Sequence, residues 1–229
     1  MKAQPRHLYQ LLIATMFMLA SVGYALADDF PGSKPDRRII KTQQKVDSLF
    51  EKGDYDRAYF IYRQELAPLG DKYAQYMVGY MTIVGKGTEQ NFIAGSAWYR
   101  LAAERGDKHF SKARDEILGY FDAEQQILSD QAYAELRLLY SDVIIIANLI
   151  EEDLEIISDR ASGTSLGYSP TDSVINNTAE LARSAELAEE RIAARLRYLT
   201  EEMNSDVIMS AEEKAHLERV AQRARAIVE

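Results

Sequence analysis

Two short words recur in this 229-residue chain, and their spacing constrains the fold more than any other feature. Gly70-Asp71-Lys72 returns 36 residues later as Gly106-Asp107-Lys108, and Tyr62-Arg63 returns 37 residues later as Tyr99-Arg100. A period of this size marks a supersecondary unit used more than once. In both copies an aromatic-rich segment runs up to the glycine. Glycine there suits a left-handed C-cap, and the aspartate beside it suits the N-cap of the next helix. Each unit therefore reads as two short antiparallel helices with tight turns, unable to bury an apolar face alone and stacked on its neighbour. After the first 27 residues, proline occurs only at Pro31, Pro35, Pro68 and Pro170, and no alternating apolar run bounded by turns argues for a strand. The expected class is all-α.

Composition narrows the chemistry. The chain has no cysteine, which excludes disulfides, thiolate metal sites and cysteine nucleophiles. His7, His109 and His216 are its three histidines, too few for most zinc sites and most histidine acid–base machinery. A formal charge of −9 leaves no basic stripe for nucleic acid. No cofactor is expected, no metal, and no catalysis.

Residues 1–27 have the anatomy of a secretory signal peptide. Lys2 and Arg6 form a positive start, an uncharged stretch runs from Leu8 to Ala27, and Ala25-Leu26-Ala27 is a cleavage pattern followed at once by Asp28-Asp29. Cleavage after Ala27 is expected; the alternative is an uncleaved anchor, because Leu8–Ala27 is just long enough to span a bilayer. No cysteine follows, so a bacterial lipoprotein is excluded. An exported, acidic, cysteine-free chain fits a bacterial periplasm. Residues 28–36, with Pro31, Gly32 and Pro35, read as a flexible lead-in.

The stretch from Ala74 to Asp107 resembles a Sel1-like repeat, a relative of the tetratricopeptide helical hairpin. Ala74, Gln75, Gly79, Gly85, Gly87, Trp98, Tyr99, Ala102, Ala103 and Gly106 match that family's pattern in order. Val78, Thr82, Thr88 and Gly95 depart from it. The best repeat is 71–106, with degenerate copies on either side in a repeat region of 37–128. The resemblance implies a short α-solenoid of hairpins whose first helices line a concave surface. It thereby marks Tyr73 and Tyr76 as candidate partner-binding residues. The remaining matches are structural. Gly79 allows close helix approach, Gly85 and Gly87 supply a turn at positive φ, Ala102 and Ala103 are small where helices cross, and Trp98 and Tyr99 fill the space between hairpins.

Residues 129–229 read as a second helical region. Ser129-Asp130-Gln131 looks like a helix start, and Leu136, Tyr140, Val143, Ala147, Ile150, Leu154 and Ile157 make a heptad seam widened by Ile144, Ile145 and Ile146. After a loop at 161–171, Leu181, Ala185, Ala188, Ile192, Leu196, Leu199 and Met203 form the stripe of another long helix. Asn204–Met209 breaks it. Ser210 and Glu213 make a capping box for a last helix lined by Leu217, Val220, Ala224 and Val228. A long-helix hairpin or a three-helix bundle is expected.

Other constellations are weighed and set aside. Glu213 and His216 resemble half of a di-iron site but lack a second copy, so solvated helix surface is the expectation. Glu151, Glu152, Asp153 and Glu155 form an acidic cluster on a helix, where a solvated face is the expectation. Asn176-Asn177-Thr178 matches the glycosylation pattern. Gly85-Lys86-Gly87 is a hairpin turn and no phosphate loop. The resemblance implies a periplasmic adaptor or scaffold in envelope assembly, envelope signalling or motility. Its partner would be a protein or peptide of the bacterial envelope, with a homo-oligomer through the C-terminal helices as a further expectation. Membrane contact would come only through an uncleaved signal segment. The alternative is a hydrolytic or accessory protein acting on peptidoglycan or exported polysaccharide through paired carboxylates.

Overall fold

The computed structural model describes residues 30–32, 37–162, 173–202 and 209–228. Residues 1–27, where a signal peptide is expected, most of the expected 28–36 lead-in, residues 163–172 of the expected loop and the expected break at 203–208 lie outside the described residues. So do the side chains of 159–182, Asn176-Asn177-Thr178 among them. The described chain is all-α, with no strand among the described residues. It falls into two compact units: one of Phe30 and 37–140, the other of 31–32 and 141–228.

The first unit contains α1 (Arg37–Glu51), α2 (Tyr55–Ile61), α3 (Lys72–Val84), α4 (Phe92–Ala102), α5 (Lys108–Leu118) and α6 (Ala123–Tyr140). The repeated words are repeated corners. Gly70 stands at φ 78° and Gly106 at φ 75°, each closing a 3₁₀ turn in the left-handed region. The next aspartate then caps the following helix. Asp71 accepts from the Ala74 N–H at 2.9 Å, and Asp107 accepts from His109 N–H at 2.8 Å and Phe110 N–H at 3.2 Å.

The copies differ by one residue between tyrosine and glycine, and the backbone shows where it goes. Residues Tyr62–Leu66 form a π turn in which the Ala67 N–H reaches the Tyr62 carbonyl, one residue further back than in an α-helix. In the second copy Phe92–Ala102 stays α-helical.

At the heart of this unit α3 packs along α4, with α6 and α5 also packed on α4. The α3–α4 crossing is set by two glycines. A Cβ on Gly79 would stand 2.6 Å from Tyr99 Cδ1, and one on Gly95 would stand 2.4 Å from Ile83 Cγ1 and 2.9 Å from the Gly79 carbonyl. Gly95, a departure from the resemblance, is thus what the close crossing requires. Asn91 caps α4 by accepting from the Ala94 N–H at 2.9 Å.

The second unit contains α7 (Asp142–Ser162), α8 (Ser173–Arg197), a π turn at Tyr198–Glu202 and α9 (Ala211–Val228). Helix α7 packs against both α8 and α9. Its buried residues Val143, Ala147, Ile150, Leu154 and Ile157 are those of the heptad seam, and Ile144, Ile145 and Ile146 are buried as well. Ala185, Ala188 and Ile192 of α8, Leu199 of the π turn, and Val220 and Ala224 of α9 are buried on the elements packed with it. The Ser210/Glu213 box forms in both directions. Glu213 N–H donates to Ser210 Oγ at 3.1 Å, and Ser210 N–H donates to Glu213 Oε2 at 2.7 Å.

Two sequence expectations fail here. Helix α6 opens at Ala123 rather than Ser129, because Asp122 and Gln125 form their own reciprocal cap at 2.9 and 3.1 Å. Ser129 lies buried in mid-helix against Ser96 Oγ at 2.8 Å. The heptad seam is also not one helix. Ser141 separates α6 from α7 and accepts from the Ile144 and Ile145 N–H groups, so Leu136 and Tyr140 serve the first unit and Val143 onward the second.

Candidate functional site

The tyrosines of α3 begin the functional question. Tyr76 is 1% exposed. Its ring stacks on Tyr99 at 4.9 Å and 5° and leans on Phe110 at 5.5 Å. It is a core residue, and in this state it offers no partner a surface: α3 is covered by α4 on the face that Tyr76 occupies. Tyr73 is half-buried, with its ring 6.3 Å from Tyr62 in an edge-on contact. Burial, and after it the charge of Asp47, raises its phenol well above the ordinary value. Burial does the same to Tyr99, reinforced by Tyr76.

The residues expected to be structural cluster around this stack. Trp98 is buried 5.0 Å from the ring of Tyr140. Ala74, Ala102 and Ala103 are buried too. Gly85 and Gly87 both stand at φ 71°, and a Cβ on Gly87 would come 2.2 Å from the Tyr55 carbonyl. Between those glycines, Lys86 places its ammonium over Tyr55 at 4.5 Å, Phe50 at 5.4 Å and Tyr80 at 5.9 Å. The turn is therefore clamped to α1 and α2 by a cation over three rings.

Two buried charge networks were not visible as sites in the sequence. In the first unit Lys72 donates to Gln75 Oε1 at 3.1 Å, the Leu101 carbonyl at 2.9 Å and Glu104 Oε2 at 3.1 Å. The other oxygen of Glu104 accepts from Tyr133 at 3.2 Å and lies 3.7 Å from Arg137 Nε. Burial, then the Glu104 charge, raises the Tyr133 phenol well above its ordinary value. This network ties α3, α4 and α6 together. The same Gly-Asp-Lys word leaves Lys108 exposed in the second copy, so the word alone carries no hint of burial.

In the second unit Asp153 is held by Arg191 from Nε at 3.0 and 3.1 Å and by Arg195 through Nη1. Arg195 also donates to the carbonyls of Leu149 at 2.9 Å and Pro31 at 3.1 Å. Burial lowers the Arg195 pKa against the pull of Asp153, while hydrogen bonding to Asp153 raises that of Arg191. The expected solvated acidic face is thus corrected at Asp153, which is buried between two arginines; Glu152 and Glu155 are exposed and Glu151 half-buried. Glu213 is corrected likewise. It is buried, accepting from Ser210 N–H and from Ser141 Oγ at 3.1 Å, while His216 is half-buried.

Among the described residues no three His, Asp or Glu side chains converge to hold a metal ion, and no helix is long and apolar enough to cross a membrane. No protein-family model matches the chain, and no solved structure matches its fold.

Proposed function

We propose that this chain is a non-catalytic adaptor, a short α-solenoid of Sel1-like helical hairpins joined to a bundle of longer helices. It would work in the bacterial periplasm after removal of residues 1–27, binding a protein or peptide of the envelope. The observation that carries the reading is the pair of like corners at Gly70-Asp71 and Gly106-Asp107. Two left-handed glycine corners, each followed by an aspartate cap and 36 residues apart, are what a stack of like hairpins needs. The buried carboxylates Glu104, Asp153 and Glu213 each accept from named donors that hold the fold, which gives them structural work. The charge of the chain and its aromatic core are consistent with recognition by surface shape, the usual work of stacked hairpins.

The test is crosslinking and capture from envelope fractions with the full chain. The expected result is a protein whose crosslinks map to residues 37–140. Capture of nothing, together with release of soluble fragments from peptidoglycan by the purified chain, overturns it.

A further inference from the structure

Helix α6 has a second face that the fold does not use. Ser129, Arg137 and Tyr140 point into the first unit, with Tyr133 and Leu136 half-buried beside them. Opposite them Ile127 is 58%, Leu128 45%, Leu138 41% and Leu139 62% exposed. Exposed single leucines need no explanation, but four large aliphatic side chains on one face of one helix do. Glu124, Gln131, Ala134 and Glu135 are exposed on the same side. At 3.6 residues per turn these eight positions fall within an arc of about 140°.

The order along that arc is regular. Glu124-x-x-Ile127-Leu128 is echoed by Glu135-x-x-Leu138-Leu139, eleven residues on. Eleven residues make three turns with little angular drift, so both copies lie on one straight strip, about 16 Å apart. Each copy is an aliphatic pair with a carboxylate one turn before it. The one basic residue of α6, Arg137, is buried on the other side.

We infer that the outer face of α6 is a docking strip for a basic amphipathic helix of another protein. That helix would set aliphatic side chains against Ile127/Leu128 and Leu138/Leu139, and two lysines or arginines about 16 Å apart against Glu124 and Glu135. Charge selects this occupant. A second copy of α6 would bring glutamates against glutamates beside a desolvated aliphatic seam. A lipid surface calls for lysine or arginine flanking the apolar face, the reverse of what α6 carries. The inference rests on the adaptor reading and names the chemistry of its partner.

The test uses the full chain and a fluorescein-labelled 18-residue peptide of leucine and alanine with two lysines eleven residues apart. A matched peptide carries glutamates at those two positions. Fluorescence anisotropy is expected to show at least tenfold tighter binding of the lysine peptide. Ile127→Ser/Leu139→Ser should weaken it at least tenfold, and Glu124→Lys/Glu135→Lys should invert the preference. All four positions are exposed, and an unchanged melting curve confirms that each variant folds.

Binding that ignores both double substitutions overturns the inference, because the acidic chain as a whole would then be the attractant. So does sedimentation of the parent as a dimer that Leu139→Ser dissociates. Envelope capture separates the two levels. A partner captured equally by the parent and by Ile127→Ser/Leu139→Ser overturns the strip and leaves the adaptor reading standing. Capture of nothing by either, together with release of soluble fragments from peptidoglycan by the purified chain, overturns both.

Discussion

The two units solve the problem of helix packing with different materials. In the first, rings and notches set the register: Tyr76 lies flat on Tyr99, and Gly79 and Gly95 let α3 and α4 approach until no Cβ would fit. In the second, the buried faces are aliphatic and smooth, with Ala185, Ala188 and Ala224 opposite the isoleucines of α7. Alanine faces slide at little cost, and there Asp153 receives Arg191 and Arg195 on one carboxylate and fixes α7 against α8. Shape supplies uniqueness where side chains are large and distinctive. The first unit buries Lys72 and Glu104 beside that shape; where side chains are small and alike, a buried ion pair can supply uniqueness without it, at a cost in desolvation.

That contrast can be broken first with alkali. Tyr73, Tyr80, Tyr99 and Tyr133 all belong to the first unit, and burial raises each of their pKa values above 10.0. Above that pH the unfolded chain loses protons that the folded chain keeps. Stability contributed by the neutral phenols is full below pH 10 and falls as pH rises above it. By pH 12 the first unit is expected to unfold. Trp98, the single tryptophan, reports that unit alone by fluorescence, and absorbance near 295 nm should show tyrosines ionising in step with it. Ionisation of all fourteen tyrosines near pH 10 with Trp98 unmoved would show that the rings are not sealed.

Next in size is Trp98→Ala, expected to cost about 3–5 kcal/mol through the cavity left beside Tyr140. Equilibrium urea melts followed by circular dichroism measure it. Asp153→Ala is expected to cost about 3 kcal/mol or more in the second unit, because buried Arg195 is left without its carboxylate. If Asp153→Leu/Arg195→Leu melts as low as Asp153→Ala, the pair contributes stability; if it recovers the parent's melting point, the pair serves register alone. Gly79→Ala should cost about 1–3 kcal/mol, since the new methyl would meet a Tyr99 ring already pinned by Tyr76. Ser210→Ala is the mildest, about 1 kcal/mol for half of a capping box.

The readable parts of the sequence were those with a local cause. Gly70, Gly85, Gly87 and Gly106 need positive φ, and each stands at a corner that the residues around it announce. Ser210 and Glu213 are three apart and cap each other. The stripe on α7 has the helical period throughout. What could not be read depends on distant partners. Tyr73 and Tyr76 differ in burial because Tyr99 and Phe110 arrive from α4 and α5. Lys72 and Lys108 share a motif, yet only Lys72 has a carboxylate 32 residues away to receive it. The break at Ser141 hid inside a continuous heptad pattern because the apolar spacing carries across it unchanged. The outer face of α6 is not legible because a helix start at Ser129 leaves Glu124, Ile127 and Leu128 outside the helix, and only the neighbours packed on the opposite side show which face is exposed.

The π turn at Tyr62–Leu66 acts as an expansion joint. One residue more than the second copy holds is taken up in a single widened loop of backbone, and everything after it, from the Gly70 corner to α3, keeps its phase. Deleting one residue from Arg63–Glu65 should therefore relax the turn to α-helix and leave the Gly70 corner where it is, whereas the same deletion inside α4 would rotate Trp98 or Tyr99 out of its place. Length can change at this joint without changing the direction in which the following helix faces.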